Sequence, residues 1–109
     1  MVSKTTFYNN VNAFKRICLG DLIRRAGGDP YLLVDLLNDC DCYGPKGVQL
    51  CLRQDTVDGS DSAGSPDTIW DGRLVIENNC FYWVGTDGPG LGSKEIRTRV
   101  YLYTIFLVI

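Results

Sequence analysis

Hydrophobic positions change their spacing once along this chain, and the change divides it into a helical region and a strand region. In the first, Val11, Phe14, Cys18 and Leu22 recur at steps of three and four, the repeat that lines one face of a helix. Asn9 or Asn10 can cap that helix, because its side-chain oxygen can accept from an amide in the first turn. Gly20 and Asp21 interrupt the pattern. It therefore predicts two short helices, over about 10–18 and 21–26, the second capped by Asp21 and ended by Gly27 and Gly28. Asp29-Pro30 is the clearest helix start, since aspartate caps and proline has no first-turn amide to leave unpaired. Leu32, Leu33, Val34, Leu36 and Leu37 then surround most of a third helix over 31–38, which predicts its burial.

From Val48 onward the period falls to two. Val48–Arg53 reads as a strand. Arg73–Glu77 and Cys80–Val84 flank Asn78-Asn79, and asparagine accepts the positive φ that a two-residue hairpin demands. This turn predicts the pairs Glu77/Cys80, Val75/Tyr82 and Arg73/Val84. Glu95–Ile109 reads as one long final strand. Its alternation disappears at Thr104, so Ile105–Ile109 needs cover on both sides, from a central position in the sheet or from a dimer seam. The connections are a turn over Asp41–Lys46, an acidic Gly/Ser loop over 54–68, and a Gly-rich loop over Gly85–Ser93. Helices precede strands, and no helix fits between the strands after residue 70. The expectation is an α+β fold: two or three short N-terminal helices packed on an antiparallel sheet of four to five strands, in a single domain over 1–109.

Strand parity sorts the sheet's side chains. Leu74, Ile76, Phe81 and Trp83 share one face, joined by Ile96, Thr98, Val100 and Leu102. These suit the helices. The opposite face gathers Arg73, Tyr82, Arg97, Arg99, Tyr101 and Tyr103, an arginine–tyrosine stripe.

Composition narrows the chemistry. The 109 residues are 45% hydrophobic, which suits a packed domain, and the net charge of −2 lacks the basic excess of a nucleic-acid binder. The segment RRAGGDPYLLVDLLNDC resembles a helix-turn-helix in outline. Its second helix carries Asp35 and Asp39 and no cation, however, so it would be repelled by phosphates and could not read bases. No histidine is present, which removes imidazole catalysis and imidazole metal ligands. Five cysteines, an odd number, together with an N-terminus lacking an apolar signal segment, lead us to expect reduced thiols in the cytoplasm. The apolar run at 101–109 is shorter than the ~20 residues of a membrane helix.

Other motifs fail on spacing. Cys40, Cys42, Cys51 and Cys80 contain one C-x-C pair, whereas a four-thiolate zinc site usually shows two knuckles. Gly88-x-x-x-Gly92-Ser-Lys94 is not the phosphate-loop spacing and leads into a strand. Asp55, Asp58, Asp61 and Asp67 lack the EF-hand pattern. Glu77 and Glu95, the only glutamates, are not paired in sequence for acid–base work. Neither cofactor, metal nor enzymatic activity is expected. Tyrosine and arginine are the residue types enriched at interface hot spots. The stripe therefore predicts a protein-binding module, an adaptor or stoichiometric inhibitor of the kind common among viruses and phages. Three alternatives remain: single-stranded nucleic acid stacked on the same face, a self-assembling or homodimeric protein joined through the C-terminal strand, or an ordinary solvated sheet face.

Overall fold

The computed structural model describes residues 3–13, 15–44, 47–51 and 69–108. Helix α1 spans Lys4–Asn12, earlier than its apolar spacing suggests. Ser3 decides the start: its hydroxyl accepts from the Thr6 amide at 3.1 Å. Phe7 and Val11, one turn apart, are its buried residues. Residues expected to continue the helix instead form strand β1, Arg16–Cys18. The apparent helical face through Val11, Cys18 and Leu22 thus crosses three elements, and Phe14 lies outside the described residues.

Helix α2 follows at once, Leu19–Arg25. Asp21 sits in its first turn and not at its cap. The orphan amides of Leu19 and Gly20 donate to the carbonyls of Thr104 and Leu102, each at 2.8 Å. A distant turn therefore supplies the cap that no local side chain provides. Gly27 and Gly28 end the helix at φ 108° and 92°, where the Gly28 amide donates to the Ile23 carbonyl at 3.0 Å. Helix α3, Pro30–Asp39, starts as expected, with Asp29 accepting from the Tyr31 amide at 2.9 Å. Leu33, Leu36 and Leu37 are buried.

Among the described residues, six strands form two antiparallel three-stranded sheets, where one sheet of four to five strands was expected. The α+β class with N-terminal helices holds. The larger sheet orders β3 (Trp70–Glu77), β4 (Cys80–Thr86) and β5 (Glu95–Val100). Asn78 and Asn79 sit at φ 51° and 62°, and the register pairs Glu77 with Cys80, Val75 with Tyr82 and Arg73 with Val84, as the turn predicts. The smaller sheet orders β1, β6 (Ile105–Leu107) and β2 (Gln49–Cys51). β2 is shorter than the expected 48–53, and residues 52–68, with the acidic loop and Asp55, Asp58, Asp61 and Asp67, lie outside the described residues.

The expected single strand over 95–109 is broken at Tyr101–Thr104. Here the Thr104 amide donates to the Tyr101 carbonyl at 2.8 Å, and the Tyr101 amide donates to the Thr104 hydroxyl at 2.9 Å. Leu102, expected to face the core, is 57% exposed on this turn. Beyond it the chain changes sheets, and β6 takes the central position between β1 and β2. Phe106 and Val108 are buried there, while Ile105 and Leu107 stay half-buried. Both edges of β6 are paired, so the dimer seam considered for it has no open edge to use.

Trp83, 3% exposed, joins the sheets. Its ring tilts against Phe106 of β6 at 5.5 Å between centroids and meets the Tyr43 ring edge-on at 5.8 Å. The Tyr43 hydroxyl accepts from the Leu74 amide at 3.3 Å. Gly72 lies directly against the indole, where a β-carbon would collide with Nε1 and Cε2. Gly72→Ala should therefore destabilise the fold by about 1–3 kcal/mol. A lowered urea midpoint, followed by tryptophan fluorescence, would show this; an unchanged midpoint would mean the indole does not occupy that space.

Candidate functional site

The hairpin register sends every second residue of β3, β4 and β5 away from the helices. Tyr82 lies between Val75 and Arg99, and Val84 lies between Arg73 and Arg97. From this lattice a continuous stack develops. The Arg97 guanidinium lies 4.9 Å from the Tyr82 ring centroid; that of Arg99 lies 6.0 Å from Tyr82 and 4.9 Å from Tyr101. Tyr101 and Tyr103 then stack at 5.7 Å with their planes 7° apart. Cation–π contact of this kind contributes roughly 0.5–1 kcal/mol at exposed sites, enough to bias the long arginine side chains toward one geometry.

Five of the six stripe residues thus meet. Arg73 does not: its guanidinium turns to the Tyr43 ring, 5.9 Å from the centroid. The two glutamates, unpaired in sequence, join the cluster, Glu77 from the face that strand parity assigns it. Glu77 pairs with Arg97, and Glu95 lies 3.6 Å from it. These ion pairs are exposed, so their main effect is orientation and not stability. The spacing Glu95-x-Arg97 could have suggested a shared face, since residues two apart on a strand point the same way.

The stack ends on the Tyr101–Thr104 turn. Tyr101, Leu102 and Tyr103 are 46%, 57% and 67% exposed. Three consecutive large side chains face solvent there, on a backbone whose carbonyls cap α2. Leu102 was not foreseen at this surface. Without glycine, proline or asparagine, the segment carries no ordinary turn signal, and the Thr104 hydroxyl supplies the closing contact.

The remaining candidates take structural roles. The exposed residues of α3 are Tyr31, Asp35, Asn38 and Asp39, while its leucines pack inward, so the two helices around Gly27-Gly28 build core. The Gly-rich loop closes on itself. The Asp87 amide donates to the Lys94 carbonyl and the Lys94 amide to the Asp87 carboxylate, each at 2.9 Å, while Thr86 and Ser93 hydroxyls donate to the Gly88 carbonyl. Among the described residues no three of Cys, Asp or Glu are gathered to hold a metal, and the five cysteines are free thiols. Cys40 and Cys42 lie at the end of α3, while Cys51 on β2 accepts from Arg16 at 3.7 Å.

These features define the class: a small α+β domain carrying an arginine–tyrosine stack on its solvent face. The chain matches no family model, no curated protein and no solved structure.

Burial pushes the Cys42 thiol from its ordinary 9.0 up to about 12, with the neighbouring Cys40 adding to the shift. Burial likewise pushes the Tyr43 phenol from 10.0 up to about 12. Both stay protonated in the fold, while in the unfolded chain they ionise from about pH 9 upward. The folded state then holds more protons, so the stability these groups contribute is full below pH 9.0 and declines as pH rises toward 12. Urea midpoints should fall across that window, and Tyr43→Phe should flatten the decline above pH 10.0. A midpoint that held steady to pH 12 would contradict the burial of both groups.

Proposed function

We propose that this chain is a non-enzymatic protein-binding module, an adaptor or stoichiometric inhibitor that acts by occluding a partner's surface. The observation that carries the reading is the run Arg97, Tyr82, Arg99, Tyr101, Tyr103, held in one stack and ending on exposed rings. Tyrosine and arginine bury large areas while keeping polar ends, and a pre-ordered surface loses little side-chain entropy on docking. Arg97, Tyr101 and Tyr103 are the anchors in this reading. Leu102 adds apolar area beside them. Arg73, engaged with Tyr43, belongs to the rim. The odd number of cysteines, all free, fits a cytoplasmic setting.

Single-stranded nucleic acid is the second reading, favoured by the nearly parallel tyrosine pair, which offers a face for bases. Charge argues against it. Glu77 and Glu95 stand beside Arg97 and offset the two arginines of the stack. Self-assembly through the C-terminal strand has less to support it, because β6 is paired on both edges.

Affinity capture from the native host, with the unaltered chain beside Tyr101→Ala and Tyr103→Ala, should recover one partner that both variants lose. Titration of that partner should then show each variant weaker by roughly tenfold or more, with melting temperatures within a few degrees of the parent. Unchanged affinity in both variants would overturn the reading. Binding to single-stranded DNA that falls steeply with salt would favour the second one.

A further inference from the structure

The larger sheet has one edge open to another strand. The two-residue Asn78-Asn79 turn makes Glu77 and Cys80 a hydrogen-bonded pair. Alternation along β4 then turns the amides and carbonyls of Phe81, Trp83 and Gly85 toward β5, where they meet Val100, Thr98 and Ile96. The intervening residues Glu95, Arg97 and Arg99 turn theirs away from the sheet. Contacts at both ends of β5 agree with this alternation. The Asp87 amide donates to the Lys94 carbonyl, and the Tyr101 amide, outward like that of Arg99, donates to the Thr104 hydroxyl. On the β3 edge the Tyr43 hydroxyl accepts from the outward Leu74 amide. Among the described residues, no hydrogen bond takes the outward amides of Glu95, Arg97 and Arg99.

The side chains of those three residues select the strand that fits. Charged residues usually blunt an edge by repelling a neighbour. Here their order, Glu95-x-Arg97-x-Arg99, is self-complementary. Glu77 and Glu95 both attend Arg97, while Arg99 lies over tyrosine rings and, among the described residues, has no carboxylate. An antiparallel second copy centred on Arg97 sets Glu95 of each copy opposite Arg99 of the other and leaves each Arg97 with its Glu77. Every arginine of the stack then has one glutamate. Centring on Thr98 instead would set Arg97 against Arg99 of the second copy. Antiparallel order also brings the β4–β5 loop of one copy, with Leu91 wholly exposed, to the Tyr101–Thr104 turn of the other, where Leu102 is exposed. We propose that two copies of this chain pair antiparallel through β5, joining their larger sheets into one of six strands. The seam uses β5 and not β6, and it leaves the Tyr82 ring on the outer face, so the inference goes beyond the docking reading and does not depend on it.

Sedimentation of the purified, reduced full chain from about 5 to about 500 µM should show monomer converting to dimer, a weak pair as a short seam allows. Over the same range the Arg97 and Arg99 amides should gain protection from hydrogen exchange, while those of Ile96 and Thr98, bonded to β4, are protected throughout. Glu95→Arg and Arg99→Glu should each weaken the dimer by roughly tenfold or more, since each sets like charges across the seam twice. The double variant restores opposite charges and should regain the dimer. The exchange measurement needs no variant, so a folding defect in one of them would not shield the proposal. Three results would overturn it: a monomer throughout the range, a dimer whose Arg97 and Arg99 amides exchange as freely as in the monomer, or a double variant that pairs no better than either single one. No other protein takes part in these measurements, so their failure would leave the docking reading standing, and failure to capture a host partner would leave the dimer standing.

Discussion

Trp83 has to point inward, and most of the surface follows from that requirement. Its indole fills the space between Gly72, Tyr43 and Phe106, and through Phe106 it ties the larger sheet to the smaller one. Strand side chains alternate, so burying Trp83 turns Tyr82 and Val84 outward. The antiparallel register carries the same parity to Arg73 on one side and to Arg97 and Arg99 on the other. A slip of one residue would exchange the two faces, exposing the indole and burying two guanidinium groups. The left-handed Asn78-Asn79 corner holds the register against that slip.

The Tyr101–Thr104 turn is where folding and the proposed function draw on the same atoms. Its carbonyls satisfy the first amides of α2, which have no side-chain cap. The turn also transfers the chain from β5 in one sheet to β6 in the other. Because its backbone is occupied in this way, its side chains are left to face solvent. Tyr101 and Tyr103 stack on one another, and Arg99 continues the stack back to Tyr82. A loop free of the helix would present the same residues with greater freedom and would lose more entropy on binding.

Electrostatics shapes the sheet surface. On the sheet, Glu77 and Glu95 hold Arg97 and keep the local charge near balance, which suits a partner read by shape and aromatic contact. Net charge alone, −2 over the whole chain, conceals this arrangement.

The hairpin was legible because its information is local. Two asparagines, flanking alternation and a buried tryptophan set turn type, register and face without reference to the rest of the chain. The Asp29-Pro30 start and Gly27-Gly28 stop of the helices were legible for the same reason. What the sequence could not reveal depended on distant partners. Arg16–Cys18 is a strand because β6 lies alongside it, while the spacing of Val11 and Cys18 imitates a helix. The final segment divides because a threonine hydroxyl and a helix terminus far away in sequence meet it at residues 101–104. Alternation therefore determined which tyrosines and arginines face outward. Only the tertiary structure decided that five of them stack while Arg73 departs, and that Leu102 joins them, because each outcome rests on contacts between elements that the chain brings together only when folded.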